Sequence, residues 1–327
     1  MSGKASDGML REWGTRLFYG MPKKPKQSRG GVPVVASAAA SMLSADAVRD
    51  RVRDVIRPGA HQVMVKITGG GRGMKAIAAH MRYISRQGKP EAGGRGQSLE
   101  LEDENGDKIS GTEAIQDLQH DWRMAGSYIG DDSARREAFN IILSMPEGTP
   151  PDIVRDAAHA FARETFEDHK YVFVLHEDTA SPHVHLAVRS ENRLGVRLNP
   201  RKADLQRWRE RFAARLQDRG INAVALRAST RGVNRVPRDI WQVKAAADGH
   251  LRKPRPVSRS PGAIVRARAE AIEAWGRVAQ ALAGSAHLTD RELAMDVMRH
   301  VGERFGRPAP EPSRTVAEPR RSSRERE

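Results

Sequence analysis

Hydrophobic positions along this chain recur at every second residue in some stretches and at every third or fourth in others, and the switches between the two periods mark out its elements. In HQVMVKIT (61–68), Val63, Val65 and Ile67 alternate with Gln62, Met64 and Lys66, which predicts a half-buried strand. A glycine turn, Gly69-Gly70-Gly71-Arg72-Gly73, leads into a helix over 74–87 with Met74, Ile77, Ala78, Met81 and Ile84 on one stripe. SLELEDENGDKIS predicts a hairpin around Asn105-Gly106. The next helix runs to about Gly126, opened by the capping-box pattern Ser110 to Glu113 and buried through Ile115, Leu118, Trp122 and Ala125. EAFNIILSM (137–145) reads as a strand, and a helix from Pro151 buries Ile153, Val154, Ala157, Phe161 and Phe166. Two strands follow, YVFVLH (171–176) and HVHLAVR (183–189), joined by a short polar turn. A helix over 202–219, stopped by Gly220, then buries Leu205, Trp208, Phe212 and Leu216.

Strands interleaved with helices in this order predict an α+β unit over 59–225. Its flanks read differently. Residues 1–58 form a basic extension with one helix, about Ala45 to Ile56, ended by Arg57-Pro58-Gly59. From 226 to 306 the pattern is helical only, over 239–251, 262–283 and 289–305, the last opened by a capping box from Thr289 to Glu292. The tail, 307–327, has four prolines among dense Arg and Glu and is expected to be disordered.

Composition narrows the partners. An apolar fraction of 39% is low for one compact enzyme of 327 residues, in keeping with polar flanks. Net charge is +15 and the pI about 10.6, which favours a polyanion, nucleic acid before membrane, since no segment is apolar enough to span a bilayer. The absence of cysteine excludes disulfides, thiolate zinc sites and cysteine nucleophiles, and fits a cytoplasmic location. VPVVASAAASMLSA (32–45) has the outline of a signal peptide, but it begins too far from the N-terminus and its serines break the apolar run.

The chemistry concentrates in the last strand pair. His183 and His185 stand at i and i+2, so the pleat turns both imidazoles to one face, roughly 7 Å apart along the strand. His176 ends the preceding strand, and the short turn brings it beside them. Neutral imidazole is the commonest protein ligand for a divalent cation, and three on a sheet leave coordination positions open for substrate. Two same-face histidines alone would read as the polar side of a half-buried strand. Glu177 and Asp178, in the turn, are placed to hold an imidazole tautomer. On the 74–87 helix Tyr83 lies opposite the apolar stripe, where a core role explains it poorly. Arg82, Arg86 and Lys89 surround it with positive charge. Arg207, Arg211 and Arg215 line one face of the 202–219 helix and suggest a DNA-backbone contact. The glycine turn lacks the Gly-Lys-Ser/Thr ending of a nucleotide loop; it is a flexible turn or a nucleic-acid backbone contact.

As an ordered set, the strand and glycine turn, MRYISRQGK around Tyr83, NIILSMPEGT (140–149) and HEDTASPHVHL (176–186) resemble the conjugative relaxases, the mobilisation endonucleases that include the T-DNA border endonuclease. The resemblance covers about 60–222. It implies an antiparallel sheet of about five strands with helices packed against it. It implies Tyr83 as nucleophile, His176, His183 and His185 as a metal triad, Ser144 near the DNA backbone and Asp178 as a partner behind the triad. Mg²⁺ or Mn²⁺ is the implied working ion, whereas ligand chemistry alone favours Zn²⁺ or another late metal for three imidazoles, and these are expected to bind more tightly in vitro. The implied activity is site- and strand-specific nicking at a plasmid transfer origin. A 5′-phosphotyrosyl intermediate would pilot conjugative transfer and be rejoined afterwards. Implied partners are single-stranded origin DNA, a relaxosome accessory protein and a type IV secretion coupling protein, with the protein translocated alongside the DNA. Two departures stand out: Asn140 where relatives often carry histidine, and about 58 residues before the first strand. Two other readings are a non-catalytic DNA-binding accessory protein and a rolling-circle replication initiator, although the latter usually places its tyrosine after the histidine pair.

Overall fold

The structure, a computed structural model, describes residues 3–19, 43–87, 98–227, 230–231 and 261–306. Its elements in chain order are α1 (Gly3–Tyr19), α2 (Ala45–Ile56), β1 (His61–Gln62), β2 (Met64–Gly69), α3 (Met74–Ile84), β3 (Leu101–Asp103), β4 (Lys108–Ile109) and α4 (Thr112–Met124). These are followed by β5 (Ala138–Ser144), α5 (Pro151–Thr165), β6 (Tyr171–His176), β7 (His183–Arg189), α6 (Lys202–Gln217), β8 (Ala223–Val224), α7 (Pro261–Ala283) and α8 (Leu288–Phe305). The helix expected over 239–251 and the tail from 307 lie outside the described residues. The chain divides into two compact units, Asp50–Leu226 and Met1–Arg49 with Arg227–Glu327.

In the first of these units a six-stranded antiparallel sheet runs β2-β5-β7-β6-β3-β4. About five strands were expected; the sixth comes from the β3–β4 hairpin, which docks on the free edge of β6 and buries Leu101 completely. The strand read over 61–68 is split at Val63. Residues before it pair in parallel with β8, and those after it enter the sheet beside β5.

Alternation along the strands produces two cores. Phe139, Ile141 and Leu143 of β5, Tyr171 and Phe173 of β6, and Val184, Leu186 and Val188 of β7 point to one face. There they meet Val154, Ala157 and Phe161 of α5 and Trp208, Phe212 and Leu216 of α6. The opposite face presents Ala138, Val172, Val174 and Ala187 to α3 and α4, which contribute Met74, Ile77, Met81 and Ile84, and Ile115, Leu118 and Trp122. His176, His183 and His185 follow the second set, so the pleat places them on the α3 side. The capping box expected at Ser110 does not form: Gly111, at φ +83°, caps α4 without a side-chain hydrogen bond. That at Thr289 is absent too, since α8 starts at Leu288 behind His287.

In the second unit α7 packs against both α1 and α8. Residues 1–58 therefore hold two helices where one was expected. The apolar stripe of α1, Leu10, Leu17 and Phe18, is narrow and interrupted by glycine and charge, which hides it from a periodicity count. Buried Asp290 of α8 accepts from Arg49 at 3.0 Å, and Arg49 also reaches Asp7 at 2.6 Å. Among the described residues no helix is long and apolar enough to cross a membrane.

Candidate metal and nucleophile site

β6 and β7 pair so that His176 stands directly opposite His183, with His185 one pleat further along the same face. The ring centroids lie 5.3 Å (His176–His183), 4.6 Å (His176–His185) and 5.1 Å (His183–His185) apart. One nitrogen from each ring falls within 4.8 Å of the others. His176 and His185 are buried, and His183 is half-buried. His176 donates its Nε2–H to the Ile84 carbonyl at 2.7 Å, which leaves Nδ1 with the lone pair. His183 bonds the Ser181 carbonyl through Nδ1 at 3.1 Å, which leaves Nε2. Burial pushes His185 down to about 3, helped by the neighbouring rings, and burial also lowers His176. At neutral pH both are uncharged bases, the state a cation requires of its ligands. The donor set therefore fits a divalent ion.

α3 delivers the phenol. Met74, Ile77, Met81 and Ile84 bury one face of the helix, and Tyr83, on the other, is 68% exposed. Its ring stands edge-on to His185, with centroids 6.2 Å apart and planes at 89°. The Ile84 carbonyl that holds His176 belongs to the residue after Tyr83, so one hydrogen bond links the helix end to the histidine strands.

His80 completes this cluster and was not among the expected site residues. Its ring lies 6.3 Å from that of Tyr83 and 6.4 Å from that of His185. Its Nε2 is enclosed with no hydrogen-bond partner among the described residues, and burial pushes its pKa down to about 4. The only sequence signal was its place three residues before Tyr83, one turn along the helix. Lys66 was missed as well: it pairs with Ile142, which pairs with His185, so an exposed lysine shares the histidine face two strands away.

Several expected residues sit differently from the sequence reading. Asp178 pairs with Arg86 at 2.6 Å and interacts electrostatically with the imidazoles of His176, His183 and His185. Burial works against ionisation of Asp178, but Arg86, a backbone hydrogen bond and the nearby His176 and His183 together outweigh it and hold the pKa below the usual carboxylate range. Ser144 is buried directly across from His183, and Asn140 pairs with Ala187, one step past His185. Arg82 is exposed beside Tyr83; Lys89 lies outside the described residues. Arg207, Arg211 and Arg215 are on α6, which covers the sheet face away from the histidines. They are also balanced by acids, Arg207 by Asp204, Arg211 by Glu164, and Arg215 by Glu164 and Asp218. Asp204 and Asp218 stand three residues from their partners and were readable in the sequence; Glu164 was not, because it comes from α5.

The glycine turn is explained by packing. A Cβ on Gly70 would come within 2.2 Å of the Ala138 carbonyl, and one on Gly73, at φ +88°, within 2.2 Å of the Asp131 carbonyl. The Gly71 carbonyl accepts from the Glu137 amide at 2.8 Å.

Residues 83–221 match the family model for Relaxase: MobA/VirD2-like, nuclease domain. No curated protein matches the chain.

Proposed function

We propose that this chain, whose residues 83–221 match the relaxase nuclease domain, nicks one DNA strand at a plasmid transfer origin by tyrosine transesterification. The observation that carries this reading is the convergence of an exposed phenol with three imidazoles that are about a hundred residues away in sequence. The Tyr83 oxygen attacks phosphorus, the bond to the departing 3′ oxygen breaks, the phenolic proton leaves and the 3′ oxygen takes one up. One phosphodiester replaces another, so the step runs backwards without ATP and rejoins the strand.

His176, His183 and His185 would hold a divalent cation, Mg²⁺ or Mn²⁺ in use; when bound, it supplies neutralisation of the charge that grows on the non-bridging phosphate oxygens. Tyr83 supplies the nucleophile from a position the strand can reach. Ser144 is a candidate contact for the DNA backbone. Arg82 adds positive charge at the phenol, and Arg86, bound to Asp178, fixes the chain just past the helix. Asp178 acts on the site through Arg86 as a positioning residue.

A denaturing gel tests this. With Mg²⁺ and a single-stranded oligonucleotide carrying the origin from its own plasmid, the wild type forms a covalent adduct and Tyr83→Phe forms none. An adduct that persists in Tyr83→Phe and disappears in Tyr128→Phe overturns the assignment. DNA binding with no adduct under any divalent ion leaves the accessory-protein reading.

A further inference from the structure

A cavity of about 410 Å³ lies between α3 and α4, and of its lining only Arg82 enters the chemistry above. Its volume is in the range of small-ligand clefts, about 300–1,000 Å³. Lys75 and Arg82 line the α3 side, and Gln116, Gln119, His120 and Arg123 line the α4 side. Of its cations, Lys75 pairs with Asp132 and Arg123 with Asp131, an acid that also lines the cavity. Arg82 forms no ion pair among the described residues, so the wall keeps one uncommitted positive charge. The two carboxamides carry paired donor and acceptor atoms, the pattern that reads a base edge. Tyr128, 63% exposed, does not line the cavity but is held at 3.2 Å by Arg123, which does, and it offers a ring for stacking.

The helix geometry connects this cleft to the phenol. At 100° per residue Arg82 lies next to Tyr83 around α3, on the side shared with Lys75 and Ala78, while His80 lies on the other side of Tyr83. A strand whose phosphate sits at Tyr83 therefore needs only to cross the helix at Arg82 to enter the cleft.

Resting on the nicking function proposed above, we propose that the α3–α4 cleft is a subsite for one nucleotide of the single-stranded DNA flanking the scissile phosphate. Arg82 meets the backbone, Gln116 and Gln119 contact the base edge, and Tyr128 stacks.

The test uses the full chain and a single-stranded origin oligonucleotide substituted with bromodeoxyuridine. Ultraviolet crosslinking followed by peptide mass spectrometry is expected to label the segment 112–128. In anisotropy titrations Arg82→Gln should weaken binding and flatten the salt dependence by about one counterion. Gln116→Ala with Gln119→Ala should weaken it about tenfold without changing that slope. Crosslinks that leave 112–128 unlabelled, or carboxamide variants that bind like wild type at every salt concentration, overturn the subsite. So does displacement of the oligonucleotide from the wild type but not from the carboxamide variants by polyglutamate, which would make the cleft an acidic-peptide site. The nicking function fails separately: a wild type that crosslinks through 112–128 but forms no Tyr83 adduct keeps the subsite and loses the chemistry.

Discussion

His80 holds an imidazole whose Nε2 is enclosed without a partner among the described residues, so burial disfavours its charge. Its pKa falls from an ordinary 6.5 to about 4 through burial. As pH drops below 6.5, the unfolded chain takes up a proton that the folded chain refuses until about pH 4, so the unfolded state binds more protons across that window. Stability from this residue is full above 6.5 and declines towards 4. Urea unfolding of the metal-free protein should show that decline, and His80→Phe should flatten it; an unchanged slope would mean that His80 is solvated. None of this was legible in the sequence, because a histidine three residues before a tyrosine looks like the exposed face of a helix. The triad itself was legible. His183 and His185 are fixed to one face by the pleat, and the short turn from His176 admits only a hairpin, so local rules sufficed. The ion pair of Asp178 with Arg86 was not legible, because the two residues lie far apart in the chain.

At the level of elements, the site depends on how α3 is seated. The helix ends at Ile84, and Arg86 then takes φ +57°, a left-handed conformation that costs a non-glycine residue about 1 kcal/mol or more. Asp178 offsets that strain through the ion pair. Asp178→Asn should therefore slow adduct formation while leaving Mn²⁺ affinity, measured by calorimetry, near wild type. Arg86→Gly, which relieves the strain but removes the pair, should slow it likewise. Loss of Mn²⁺ binding in Asp178→Asn would instead place that carboxylate in the ion site. The other end of α3 is held by Gly73, where positive φ and a carbonyl 2.2 Å from any Cβ leave no room for a side chain. Gly73→Ala should destabilise by more than about 1 kcal/mol, read from the urea midpoint. A sequence shows a glycine run without showing what crowds it, which is why it read only as a flexible turn or a phosphate contact and the packing went unseen. The amphipathic stripes of α3 to α6 were readable because each buries a single face against the sheet. The cap at Gly111 was not, since a left-handed glycine displaced the serine that matched the capping pattern.

For the whole molecule, charge and division into units set the expectations. The sheet, both of its helical layers, the triad and Tyr83 all fall within Asp50–Leu226. A fragment of residues 50–226 should unfold cooperatively and still form the oligonucleotide adduct. Deletion after Ala225 should retain cleavage but abolish plasmid mobilisation between cells, and a deletion that mobilises normally would leave the C-terminal helices without a role in transfer. The two helices described in the C-terminal region, α7 and α8, were readable from period alone. The pairing of α1 with α7 was not, because these segments lie more than two hundred residues apart and neither stripe names its partner.

The carbonyl of Ile84 gives helix and hairpin a common hinge pin. Any change that frays the last turn of that helix would slacken the grip on one imidazole as well as the aim of the phenol. Damage on either side would therefore look, in a kinetic assay, like damage to both.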